Sequence, residues 1–201
     1  MTGAEVLAEA RALGQPVVAT RDVAARIRRS SSSTSHALGR LGQAGLVRSL
    51  GHGLWSLEPE VDPYRLPDHL TRPYPSYVSL HTALYHRGLV GQIPRVIYVV
   101  SLDRAREIDT RLGRYSIHHV TPELFGGFIE WEGVKMATAE KALFDALYLA
   151  PARGGRFSGL PEVELPARFS EREVRRWIAR VRSPQRRALI ERRLGAILAA
   201  R

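Results

Sequence analysis

Hydrophobic positions in the first part of the chain recur with the period of a helix. Val6, Leu7, Ala10 and Leu13 share one face, and Gly14 follows as a stop. Thr20 stands where an N-cap is expected, Asp22 complements the dipole of the turn that follows, and Val23, Ala24 and Ile27 face inward. A third stripe of Ala37, Leu38, Leu41 and Ala44 predicts a helix from about residue 32 to residue 44. One of the serines before it is expected to cap it. Gly45 then serves as C′, with Leu46 folding back as the accompanying apolar contact. Residues 47–50 and 54–57 are short β-like runs around Gly51, His52 and Gly53, which predict a hairpin with two permissive glycines.

Three helices and a small hairpin predict a winged helix-turn-helix over residues 1–57. In that arrangement the third helix enters the DNA major groove with its N-terminal half against the bases. The face opposite the apolar stripe carries Ser32, His36, Arg40 and Gln43, with Ser33 and Ser35 at its edges, and no acid. Short hydroxyls, an imidazole, a guanidinium and a carboxamide suit contact with phosphates and base edges. Arg48 and His52 on the hairpin complete the expected DNA-binding set. Gly39 and Gly42 each cost about 1 kcal/mol relative to alanine inside a helix. Gly39, on the outer face, would permit close approach.

Residues 58–75 contain Pro59, Pro63, Pro67, Pro73 and Pro75, which remove backbone donors and fix φ. This stretch is expected to be a linker. Beyond it, residues 76–201 alternate helical and strand-like patterns. Ser79 is placed to cap a helix holding Leu80, Ala83 and Leu84, stopped by Gly88. Residues 95–101 read as a buried strand and residues 114–120 as an alternating one. Residues 128–136 read as two strands about Glu132 and Gly133. Thr138 begins a strongly apolar helix. The expected class is α+β: a winged helix, then a mixed domain with a small sheet and a basic helical tail after a Pro/Gly-rich break at 151–166. In that tail, EREVRRWIARV and RRALIERRLGAIL place arginines beside an apolar stripe, so part should pack and part lie exposed.

Charge sharpens this picture. Residues 1–57 hold seven Arg against three acids, net +4; residues 58–165 hold twelve Lys and Arg against fourteen acids, net −2; residues 166–201 hold eleven Arg against three Glu, net +8. Basic ends around a slightly acidic middle point to a polyanion, here duplex DNA. The chain has no cysteine, which suits a reducing cytosol and excludes disulfides and thiolate chemistry. The opening MTGAEVLAEARALG does not read as a signal peptide.

Catalytic patterns are sparse. His81 and His86 lie five apart, off the i, i+4 spacing of a zinc helix, and His118 and His119 fall on opposite faces of a strand. The pairs Gly126–Gly127 and Gly154–Gly155 match no phosphate-binding loop. No cofactor or metal is expected. The enzymatic alternative is a metal-dependent nuclease using Asp103, Glu130, Glu132 and Lys135, although Glu132 and Lys135 lack the tight acid-x-Lys spacing of nuclease cores.

The segments YVSLHTALYHRGLV (77–90), IYVVS (97–101) and TAEKALFDALYL (138–149), behind the winged-helix pattern, resemble the AbiEi family. The resemblance covers residues 4–150 and rests on the order and spacing of these segments. Residues 151–201 have no counterpart in it. It implies an antitoxin and autoregulator of a bacterial type IV toxin–antitoxin system. The winged helix would repress its own operon at inverted repeats, and the second domain would counteract a nucleotidyltransferase-like toxin. The competing reading is a ligand-responsive regulator without a toxin partner.

Overall fold

The computed structural model describes residues 2–149 and 162–199. The glycine pair at 154–155, and most of the break expected at 151–166, lie outside the described residues. The chain is mixed α and β and divides into two compact units. One is Met1–Leu70 with Asp109–Gly113; the other is Thr71–Ile108 with Arg114–Arg201.

In the first unit, helices α1 (Gly3–Arg11), α2 (Thr20–Ile27) and α3 (Ser31–Gln43) pack pairwise. A three-stranded antiparallel sheet joins them, in the order β1 (Val17–Ala19), β3 (Leu54–Ser56), β2 (Arg48–Gly51). Their shared core holds Val6, Leu7, Ala10, Val18, Val23, Leu38, Leu41, Val47 and Trp55. A buried leucine of this kind stabilises by about 1.5–3 kcal/mol. Strand β1, three residues long, was not expected. With β1 ending at Ala19, Thr20 is the first residue of α2 rather than its cap. The N-cap of α2 is Ala19, and Thr20 bonds Gly53 O through both its amide (2.8 Å) and its hydroxyl (3.0 Å). The Thr20 hydroxyl also accepts from Trp55 Nε1 at 2.9 Å, tying the hairpin to α2.

The proline-rich stretch is not an extended linker throughout. Asp62 caps a 3-10 turn (Pro63–Arg65), and helix α4 (Pro67–Thr71) follows, each started by a proline at a position that needs no amide donor. Leu66 and Leu70 are buried.

The second unit is built on six strands rather than a small sheet. Their order is β6 (Arg106–Thr110), β7 (Gly113–His119), β5 (Ile97–Ser101), β4 (Ser76–Val78), β9 (Val134–Ala137), β8 (Phe128–Trp131). The β5–β7 and β4–β9 pairs are parallel. Tyr115 through His118 are buried in succession, so β7 lacks the alternation expected of it; as an interior strand of the sheet it is covered on both sides. Helix α5 (Leu80–His86) packs on α6 (Ala139–Leu149). Helices α7 (Glu171–Ala179) and α8 (Pro184–Ala199) pack on α6 as well. Val174, Ile178, Val181, Ile190 and Leu194 are buried in the same core as Leu143 and Phe144. The basic segment is therefore part of this unit's core rather than an appended tail. No helix of the described residues is long and apolar enough to cross a membrane.

Candidate nucleic-acid interface and a buried lysine centre

Helix α3 begins one residue earlier than expected. Ser30 is its N-cap, and its hydroxyl accepts from Ser33 N at 3.2 Å. Thr34, at 1% exposure, turns inward beside Leu38 and Leu41, and its hydroxyl donates to Ser30 O at 2.9 Å. Its spacing of four to Leu38 makes it part of the inner stripe. The C-terminus closes with Leu46 N on Leu41 O and Gly45 N on Gly42 O, the two bonds of a Schellman motif. Leu46 itself does not fold back. It is 48% exposed, Ala44 is exposed too, and Val47 fills the apolar position instead.

Ser32, Ser33, Ser35, His36, Arg40 and Gln43 are all exposed on α3. Among the described residues no side-chain hydrogen bond or ion pair engages them. A Cβ added at Gly39 would meet nothing within 4 Å, whereas one at Gly42 would reach Trp55 at 3.5 Å. Gly39 thus leaves the outer surface low, and Gly42 serves packing. The α2–α3 turn adds exposed Arg28 and Arg29, which the sequence reading omitted. Arg28 holds a left-handed conformation (φ 56°), a geometry normally left to glycine. In the β2–β3 turn Gly51, His52 and Gly53 all have positive φ. Arg48 is exposed on β2, while the His52 ring sits with Nε2 2.9 Å from Asp109 O in the same unit.

The second unit encloses a centre that sequence reasoning missed. Thr138 caps α6 by accepting from Lys141 N at 3.2 Å. The Glu140 carboxylate accepts from Ser170 N at 3.1 Å. Lys141 and Asp145, one turn apart, form an ion pair with neither side chain exposed. Asp145 Oδ2 also accepts from Tyr77 OH at 3.0 Å and Ser79 Oγ at 2.7 Å. Ser79 stands at the N-cap position of α5, as expected, but its hydroxyl is spent on Asp145. The Lys141 ammonium lies over three rings: Trp177 (4.5 Å to the centroid), Phe144 (4.9 Å) and Tyr77 (5.5 Å). Burial drives the Lys141 ammonium down and the Asp145 carboxyl up, against their mutual attraction. Burial, with the Asp145 charge beside it, holds the Tyr77 phenol well above its ordinary value. Gly127, at φ 72°, makes room, because a Cβ there would stand 2.7 Å from Trp177 and 2.9 Å from Lys141. Enclosed in this way, Lys141 and Asp145 tie α6 to β4, to the start of α5 and to α7.

Of the residues considered for nuclease chemistry, three fall on the β8–β9 hairpin and the fourth, Asp103, lies elsewhere. Asp103 follows β5 and pairs with Arg106. Glu130 and Lys135 are cross-strand partners on β8 and β9, and Glu132 occupies their turn at φ 49°. Among the described residues no group of three or more His, Asp or Glu is placed to hold a metal. Comparison with models of known families and with curated proteins finds no match.

Proposed function

We propose that residues 1–57 act as a winged helix-turn-helix that binds duplex DNA with α3 in the major groove, and that the chain is a transcriptional repressor. The observation that carries this reading is the outer face of α3. Six exposed polar side chains without acids lie over an inner stripe of Thr34, Leu38 and Leu41, flanked by Arg28, Arg29 and Arg48. Arg40 and His36 would read base edges, the serines would meet phosphates, and the 51–53 turn would be the wing.

The resemblance to AbiEi extends the proposal. The chain would repress its own operon in the bacterial cytoplasm, at inverted repeats, and its second unit would counteract a nucleotidyltransferase-like toxin. The segment that carries much of that resemblance, residues 138–149, includes both Lys141 and Asp145. These hold the second unit together, which supports a binding role for it rather than a hydrolytic one.

Footprinting upstream of the protein's own gene tests the first part. Arg40→Ala should lose about 1–3 kcal/mol and relax preference at one base pair. Unchanged affinity and selectivity for both Arg40→Ala and His36→Ala would refute it. Co-expression of full-length protein and of Arg40→Ala with the neighbouring toxin gene tests the second part. Growth should be rescued by both, with operator binding weakened in Arg40→Ala.

A further inference from the structure

The two edges of the six-stranded sheet are unlike. Strand β6 carries Arg106, Glu107 and Asp109 within five residues, the charged composition that discourages edge pairing. At the opposite end β8 pairs only with β9 among the described residues, and it bears Trp131 at 73% exposure and Ile129 at 55%. These two residues are two apart and share one face of the strand. Phe128 points to the other face and stacks on Tyr77, with centroids 5.1 Å apart.

The two-residue turn Glu132–Gly133 makes Trp131 and Val134 the closing pair of the hairpin. By alternation, the backbone N–H and C=O of Glu130 then point to the open edge. We propose that β8 pairs antiparallel with β8 of a second copy, about a two-fold axis at Glu130, to make a continuous twelve-stranded sheet in a homodimer.

The strand is self-complementary in that register. Ile129 of each copy falls opposite Trp131 of the other, so both exposed apolar residues are covered twice over by an aromatic–aliphatic cross-strand pair. The two Glu130 backbones exchange a pair of hydrogen bonds. Their like-charged carboxylates face each other across the axis, a repulsion that Lys135, the Cα partner of Glu130 on the inner side of each copy, offsets in part. A slip of one residue would set Ile129 against Glu130 and lose both pairs. The strand is short, so the association is expected to be weak and concentration-dependent.

Sedimentation of the full chain without DNA tests the proposal. A monomer–dimer equilibrium is expected, with the dissociation constant raised at least about tenfold by Trp131→Arg. Because Trp131 is so exposed, thermal unfolding of that variant should match the parent. The chain's lack of cysteine gives a second readout. An equimolar mixture of Ile129→Cys and Trp131→Cys chains should form a disulfide faster than either variant alone, since only unlike positions face each other. A monomer at every concentration, a dimer that Trp131→Arg leaves intact, or cross-linking no faster in the mixture would each overturn the proposal.

Discussion

Lys141 and Asp145 form an ion pair in which neither side chain has any solvent exposure, and three aromatic rings complete the enclosure of the ammonium. Removing one partner strands a charge. Lys141→Met should cost about 3–5 kcal/mol, whereas a double replacement of a buried pair by well-fitting neutral groups is often near neutral. Denaturant unfolding of Lys141→Met, Asp145→Asn and the double variant should therefore show strong coupling. Additive losses would mean that the pair contributes as two independent side chains.

Gly127 sets the space between Trp177 and Lys141. Gly127→Ala introduces both a left-handed alanine and a contact that Trp177 must yield to. A loss of about 1–3 kcal/mol is expected, with a change in near-ultraviolet dichroism from the displaced indole. Gly39→Ala, in open space, should instead stabilise by up to about 1 kcal/mol.

Arg28 tests whether the α2–α3 turn accepts backbone strain for the sake of its charge. Arg28→Gly relieves a left-handed side chain but adds unfolded-state entropy, so stability should stay within about 1 kcal/mol of the parent. If the turn meets DNA phosphates, the same variant weakens binding at all sequences and lowers the salt slope by about 0.9. Stability and binding measured on one preparation separate the two effects.

The arginines of α7, α8 and the turn between them differ in their engagement. Arg175 bridges Glu171 and Glu191, Arg182 pairs with Glu123, and Arg186 stacks on Tyr148 while donating to its carbonyl. Arg172 and Arg192 are exposed and have no partner among the described residues. Deleting the segment would remove Val174, Ile178, Ile190 and Leu194 from the core. The informative variant is therefore Arg172→Gln with Arg192→Gln, which should keep the fold. An unchanged salt slope of DNA binding would assign these arginines a role other than phosphate contact.

Asp103 supplies a pH-dependent contribution. Desolvation raises its carboxyl, but hydrogen bonds from Arg106 and the Arg104 amide outweigh this and hold it below the usual range. A depressed carboxylate stabilises above its unfolded value of about 3.9, and that contribution is lost as pH falls through the lower folded value. The stability difference between the parent and Asp103→Asn should thus be constant near neutrality, begin to shrink as pH falls past about 4, and be lost only below the depressed folded value.

The first unit was legible because its signals are local. Leu38 and Leu41 mark the inner face of α3 within one turn, and the glycines at 51 and 53 mark the hairpin. Strands β1 and β4 are three residues long, too short for any period to register, and the charges of β6 resemble those of a loop. The buried centre was illegible for a different reason. Lys141 and Asp145 at i, i+4 look like a solvated pair on a helix surface. What encloses them is Tyr77, far upstream, and Trp177, far downstream, and no window of sequence contains all four.

The late position of Trp177 has a consequence during synthesis. At translation rates of about 5–20 residues per second, the 36 residues from Lys141 to Trp177 take about 2–7 s to emerge. Through that interval the nascent lysine has Asp145 and two rings for company, and the side to be covered by α7 lies open. The second unit is then accessible to chaperones, or to an early-binding partner, in a form the finished chain no longer presents.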